Sequence, residues 1–319
     1  MTEESRPTRP DEICEIHQPG WFVENYANKS ANGFAVEAHL HHEVTKFQTL
    51  DVYQTKSYGK LMVLDGNMQL TDAHECGYHE MIVHIPLLVH PNPENVLIVG
   101  GGDGGVMTQV LRHKCVKHAV QCDIDERVTR VSQQFFPQLT AWVGKDPRAE
   151  AIFDDGIAYV RNHPNTFDVI IVDSTDPIGP ATGLFNRNFY ALVKNALRAG
   201  GMVTTQGESI WHSMGVAKAM LGELIGGGFA PSRVGYYLSQ VCCYPGSVWG
   251  MGFALNSPPE GPLPCLDRPH PQADATGRTA EIEAGSRFYT RRMHAGCWSL
   301  PAFAEREMSG LAFNAAVPQ

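Results

Sequence analysis

Residues 95–105 read Asn-Val-Leu-Ile-Val-Gly-Gly-Gly-Asp-Gly-Gly, an unbroken apolar run that drives straight into a glycine-rich loop. Val106 to Arg112 then reads as a short helix. A strand with no polar alternation is buried on both faces, which a parallel sheet covered by helices provides. The same phrase returns three times downstream. His118–Cys122 runs to Asp123-Ile-Asp125 and a helix over 126–136, and Ala149–Phe153 runs to Asp154-Asp-Gly156. Phe167–Val172 runs to Asp173-Ser-Thr-Asp-Pro177, followed by a helix over 187–197 and a strand over 202–206. A helix over 211–225 and strands near 233–239 and 249–255 complete the series. This alternation predicts an α/β fold with a doubly wound parallel sheet.

Upstream the period changes. Phe47–Tyr53 alternates apolar and polar residues, Ser57-Tyr-Gly59 signals a turn, and Lys60–Leu64 ends at Asp65-Gly66 before a short run over 67–70. Strand, turn, strand, Asp-Gly turn, strand predicts a small antiparallel sheet. From Tyr78, apolar residues at 81, 82, 85, 88 and 89 fall at helical spacing, and Pro91 and Pro93 stop the helix. Residues 257–271 carry six prolines and read as a loop, with helices expected over 281–287 and 301–308 of the tail. The expected organisation is an N-terminal β-sheet domain (1–76), an α/β domain (77–256), and a Pro-rich loop with a helical tail packed on it (257–319).

The chain of 319 residues has 25 basic and 34 acidic residues, a net charge of −9. That is the wrong sign for a phosphate-backbone binder, so no nucleic-acid partner is expected. Nor is a membrane partner, since no apolar stretch approaches the roughly 20 residues needed to span a bilayer. Eight cysteines are present without a C-x-x-C pair, and Met1–Glu15 lacks the apolar run of an export signal. A reducing cytoplasmic setting with free thiols is expected. The adjacent histidines His41–His42 are read as a solvated loop pair rather than a metal site.

Ligands of open α/β sheets sit beyond the carboxyl ends of the strands. In this chain those positions hold Asp103, Asp123, Asp155, Asp173 and Asp176. Asp is common at strand-to-helix turns and N-caps, but five in register would repel one another unless cations or hydroxyl donors lay between them. Gly100, Gly102 and Gly105 fit the G-x-G-x-x-G dinucleotide pattern. Asp103 inside that loop, however, would face a pyrophosphate at close range, whereas an ammonium would suit it. Asp123 stands where an acid grips a ribose diol, with Asp125 nearby as a helix N-cap. Asp155-Gly156 is placed to accept from an adenine amino group, or is simply a turn. In Asp173-Ser-Thr-Asp-Pro-Ile-Gly-Pro180, two carboxylates three residues apart are held by prolines. An amine of pKa near 10.4 must lose a proton before it attacks carbon, and Asp173 can take it. Asp176 would hold the remaining positive charge. Tyr78, His79 and Tyr244 offer hydroxyls and ring faces to a cation.

At these residues the sequence resembles the spermidine synthase family. The resemblance rests on Leu64-Asp-Gly66, Tyr78-His-Glu-Met81, His90-Pro91, Val99–Gly104, Asp123-Ile-Asp125, Asp155-Gly156, Asp173–Pro180, Leu184-Phe185 and Gln206-Gly207. It runs from about Trp21 to about Leu255, with a weaker match at 289–301. It implies a Rossmann-like, methyltransferase-type domain preceded by a small β domain. It also implies transfer of the aminopropyl group of decarboxylated S-adenosylmethionine to putrescine or a similar diamine, with that donor as co-substrate and no further cofactor or metal. Carried over by position, Asp173 is the proton acceptor. Gln48, His79, Asp103, Asp123, Asp155, Gly156 and Pro180 fall on donor-contacting positions, and Tyr78, Asp173, Asp176 and Tyr244 on amine-contacting ones. The family's oligomers imply a homodimer or homotetramer. Three features depart from its pattern: Asp123 where Glu is usual, Val241-Cys-Cys243 before Tyr244 in place of Ile-Pro-Thr, and Thr290-Arg291 near the expected Asn. Competing readings are another amine acceptor (cadaverine, agmatine or spermidine), a methyltransferase on the same fold, and a non-catalytic polyamine binder.

Overall fold

The computed structural model describes residues 20–26, 30–175 and 183–315. Asp176, Pro177 and Pro180 lie outside them. The chain opens with a five-stranded antiparallel sheet: β1 (Trp21–Tyr26), β2 (Ser30–Val44), β3 (Thr49–Thr55), β4 (Lys60–Leu64) and β5 (Asn67–Thr71), hydrogen-bonded in that order. Asp65 (φ 48°) and Gly66 (φ 80°) both take the left-handed conformation that a tight hairpin needs between β4 and β5. The strand expected from Phe47 begins instead at Thr49. The Thr45 hydroxyl accepts from the backbone N–H groups of Phe47 and Gln48 and folds 45–48 into a turn. His41 and His42 lie within β2, which corrects their reading as a loop pair.

The helix α1 (Glu75–Val89) starts three residues before its expected position, and every one of its residues is buried. Such a helix is surrounded by other elements on all sides. It leads into a seven-stranded sheet whose strands are β6 (Asn95–Gly100), β7 (His118–Asp123), β8 (Ala149–Phe153), β9 (Phe167–Asp173), β10 (Leu197–Gln206), β11 (Val234–Gln240) and β12 (Val248–Leu255). Their spatial order is β11-β12-β10-β9-β6-β7-β8. The five strands from β10 to β8 run parallel, while β12 is antiparallel to both β10 and β11. Val96–Val99 and Val169–Val172 are no more than 1% exposed, as the apolar runs require. Each such side chain contributes roughly 1.5–3 kcal/mol by leaving water.

Helices α2 (Gly105–Leu111), α3 (Glu126–Phe135), α4 (Gly156–Arg161), α5 (Arg187–Ala196) and α6 (Met214–Gly226) connect the strands. The chain leaves β6 toward β7 and β8 on one side and later fills β9 and β10 on the other. The switch point therefore falls at β6 and β9. The tail carries α7 (Pro271–Ala275), α8 (Arg278–Gly285), α9 (Arg291–Gly296) and α10 (Ala302–Glu307). The helix expected to reach residue 287 stops at Gly285. Beyond it the backbone N–H groups of Arg287, Phe288 and Tyr289 turn toward the buried carboxylate of Glu80, at 2.8, 2.9 and 2.7 Å.

Candidate active site

The loop between β6 and α2 is the floor of the site. Gly101 (φ 72°) holds a left-handed turn, and a Cβ there would come within 3.2 Å of an Asp173 carboxylate oxygen. At Gly105 a Cβ would meet the His79 ring at 2.2 Å, so only glycine lets α1 lie against the loop. Asp103 accepts from the Gly105 N–H at 2.6 Å and faces His79 Nε2 at 3.4 Å. On its other side His79 Nδ1 meets Glu75 at 2.8 Å, and Glu75 in turn pairs with Arg287 at 2.8 Å. Burial alone would drive the His79 proton off. The Asp103 charge and the hydrogen bonds to Asp103 and Glu75 outweigh it and hold the imidazolium well above its ordinary range.

A cavity of about 250 Å³ opens above this loop, walled by the carboxyl ends of the parallel strands and by the N-terminal sheet. Its lining includes Gln48, Tyr78, His79, Asp103, Asp123, Asp155, Gly156, Asp173 and Tyr244, every described residue expected at the site. The carboxylates are Glu24, Asp65, Asp103, Asp123, Asp155 and Asp173, and among the described residues no lysine or arginine lines the space.

Each acid is held by its strand end. Asp123 closes β7 and accepts from the Asp125 N–H at 2.8 Å, and burial lifts its pKa to about 6. Asp125 accepts from Arg127 N and so caps α3, as expected. The same side chain receives the Gln48 amide at 3.0 Å and the Thr45 hydroxyl at 2.7 Å. Asp155 caps α4 by accepting from Ile157 N, so the Asp-Gly pair is a helix start rather than a free turn, and it still lines the cavity. Asp173 closes β9 and accepts from the Tyr78 hydroxyl at 2.8 Å. Burial and then the Asp103 charge raise its pKa to about 7, against the lowering pull of His79 and Tyr78. A carboxylate so poised changes protonation near neutrality, as a general base must.

Aromatic rings form one wall. Tyr78 and Tyr244 meet edge-on at 5.7 Å between centroids, and Tyr244 meets Trp249 at 4.8 Å. The Tyr244 hydroxyl donates to the Gln69 carbonyl. Cys122 also lines the cavity, but burial pushes its thiol up to about 12, which leaves no thiolate to act as nucleophile.

Several lining residues had drawn no role from the sequence. Glu24, 4% exposed, accepts from Met68 N at 3.2 Å, and its signal was a lone acid inside the apolar run of β1. Gln206 sits at the end of β10, one strand over from Asp173, where the rule that picked the acids would also have found it. The described thiols, seven of the eight cysteines, are all free. No helix among the described residues is long and apolar enough to cross a membrane.

A spermine/spermidine synthase domain matches residues 75–260, and a spermidine synthase tetramerisation domain matches residues 20–72. Spermidine synthase 2 of Hyoscyamus niger is 40% identical over 291 residues, 90% of this chain and 92% of that protein. A polyamine aminopropyltransferase of Xanthomonas euvesicatoria is 38% identical over 293 residues, covering 90% and 97%. Among solved structures, a spermidine synthase in complex with the transition-state analogue AdoDATO matches with a TM-score of 0.83 and 31% identity, over 92% of this chain and 96% of that one. The spermidine synthase of Thermotoga maritima matches at 0.81 and 30%, over 94% and 99%.

Proposed function

The chain belongs to the spermidine synthase family, and from that premise we propose that it moves the aminopropyl group of decarboxylated S-adenosylmethionine to putrescine, giving spermidine and methylthioadenosine. The observation that carries the reading is a cavity lined by six carboxylates and, among the described residues, by no cationic side chain except His79, already spoken for by Glu75 and Asp103. Both reactants enter as cations. A phosphate-bearing cofactor would meet negative charge on every side.

In this reading Asp103 pairs with the donor's primary ammonium, and His79 fixes the direction of that carboxylate. Asp123 takes the ribose diol, with its one-methylene shortfall relative to Glu met by its place at the strand end. Asp155-Gly156 borders the adenine, and Gln48 closes over the nucleoside from the N-terminal sheet. The diamine lies along the Tyr78–Tyr244 wall. Asp173 binds its reactive ammonium and accepts the proton, which frees the nitrogen lone pair. The nitrogen attacks the aminopropyl carbon bonded to sulfur, the carbon–sulfur bond breaks, and its electron pair stays on sulfur. Sulfonium becomes neutral thioether, so the leaving group needs no acid, and the reaction balances without a metal or redox cofactor. Asp176 and Pro180 keep their proposed amine and donor contacts from the sequence. The free cysteines support a cytoplasmic setting. The tetramerisation domain over 20–72 supports a homo-oligomer, a homotetramer or its constituent dimer.

The test mixes the protein with decarboxylated S-adenosylmethionine and each of putrescine, cadaverine, agmatine and spermidine, and follows methylthioadenosine. Product with putrescine at the highest kcat/KM is expected. No product with any amine would overturn the assignment, and methyl transfer from the carboxylated donor would replace it.

A further inference from the structure

On the N-terminal sheet, away from the cavity, β2 contains two register irregularities, one of them between His39 and His41. Across the ladder, His39 faces Tyr53, His41 faces Val52, and His42 faces Asp51, so Leu40 is the inserted residue. In an unbroken strand, residues three apart point to opposite faces. The bulge cancels that alternation and turns His39 and His42 to the same side, with Asp51 beside them. His41 goes the other way, toward Phe135 of α3, with ring centroids 5.6 Å apart.

The outcome is a convergent group. His39 Nε2 lies 2.7 Å and His42 Nδ1 2.8 Å from the same oxygen of Asp51, and the three atoms fall within 4.8 Å of one another. Among the described residues this is the one place where three such ligand atoms converge. His39 is stacked flat on Tyr53, at 4.3 Å and 13°, which fixes its ring plane. Asp51 is nearly buried while both imidazoles are open to solvent, so the group has a rigid anchor and an entry path.

We propose that His39, His42 and Asp51 form a transition-metal site for Zn²⁺ or a similar borderline divalent ion, with water in the fourth position. Two imidazoles and one carboxylate are a ligand set these ions accept. In a tetrahedral zinc site with bonds of about 2.0–2.1 Å, ligand atoms stand roughly 3.3 Å apart. Each imidazole therefore backs away from Asp51 by only about half an ångström, within the freedom of an exposed ring. The ion would clip β2 to β3 across the bulge. It has no part in the transfer reaction, and its presence or absence leaves the assignment of the cavity untouched.

The test uses tag-free protein stripped with chelator. Zn²⁺ is titrated by calorimetry, Co²⁺ by visible absorption, and each is scored by thermal melting. One ion per chain is expected, with a tetrahedral Co²⁺ band. Affinity should fall at least about tenfold in His39→Gln and in His42→Gln, and the melting temperature should rise with metal in the wild type alone. Both variants should keep wild-type methylthioadenosine production, which certifies their folding. No saturable binding, or equal affinity in the His39→Gln/His42→Gln double variant, would overturn the site.

Discussion

The two sheets contribute to the cavity in different ways. The parallel sheet supplies Asp103, Asp123, Asp155 and Asp173 from four strand ends, so topology alone brings them together. The antiparallel sheet supplies Glu24, Gln48 and Asp65 from one strand and two turns, and these arrive because the small sheet is held against the large one. In the first group Asp103, Asp123 and Asp155 are anchored by backbone donors, and Asp173 by the Tyr78 hydroxyl. In the second, Glu24 and Asp65 accept from backbone N–H groups of their own sheet, and the sheet is tied across to Asp125 by the side chains of Gln48 and Thr45. Residues fixed by topology should therefore govern chemistry and charge, and those fixed by docking should govern affinity.

The largest expected effect lies at Asp173. Asp173→Asn should lower turnover by about 10²–10⁴-fold, the range for loss of a general base, measured with saturating donor and amine. In the wild type, kcat/KM for the donor should rise through an apparent pKa near 7. Bound cations favour the carboxylate, so kcat should inflect at lower pH. A flat profile across pH 6–8 would remove Asp173 from the role. The same burial bears on stability. The fold holds the Asp173 proton more tightly than the unfolded chain, so its contribution is complete below its ordinary 3.8 and is lost as pH rises to about 7. Asp173→Asn should thus melt higher than wild type at pH 8, by about 1–2 °C for each kcal/mol recovered.

Next comes Asp103→Asn, expected to raise the donor KM roughly 10–100-fold through loss of a charge-assisted hydrogen bond. Calorimetry should also show the variant discriminating less against the carboxylated donor. Unchanged discrimination would separate Asp103 from the ammonium. On the docked side, Gln48→Ala should raise the donor KM about 2–10-fold with kcat nearly intact, the size of a neutral hydrogen bond. An equal fall in kcat would place Gln48 with the chemistry and erase the contrast. Smallest is Arg287→Ala. It strips Glu75 of a partly exposed ion pair and should reduce turnover about two- to fivefold by loosening His79, with the pH profile shifted.

The legible parts of the sequence were those whose physics is local. Apolar runs revealed β6 and β9, and Asp-Gly signalled the turn at residues 65–66, because burial on both faces and positive φ each leave a mark in a few residues. The acids at the strand ends followed from topology. The strand β2 was missed because its bulges break the alternation that would announce it. The early start of α1 was missed because Glu75-Cys-Gly77 carries no helical apolar spacing. Gln206 stands at a strand end and was within reach of the same rule, whereas Glu24 was passed over because nothing near it in sequence says which cavity its face borders. The link from Glu80 to Arg287–Tyr289 spans 207–209 positions, and no local pattern encodes it.

That link bears on how the protein comes into being on the ribosome. Glu80 is made early, on the helix that carries Tyr78 and His79, and its three backbone donors emerge only after some two hundred further residues. Until then a carboxylate destined for the interior has no partner, and each missing bond to it withholds about 1.5–3 kcal/mol. The nascent chain therefore keeps this helix unsettled until the tail is translated. A product truncated before residue 287 should be a chaperone client or protease substrate rather than a weakly active enzyme.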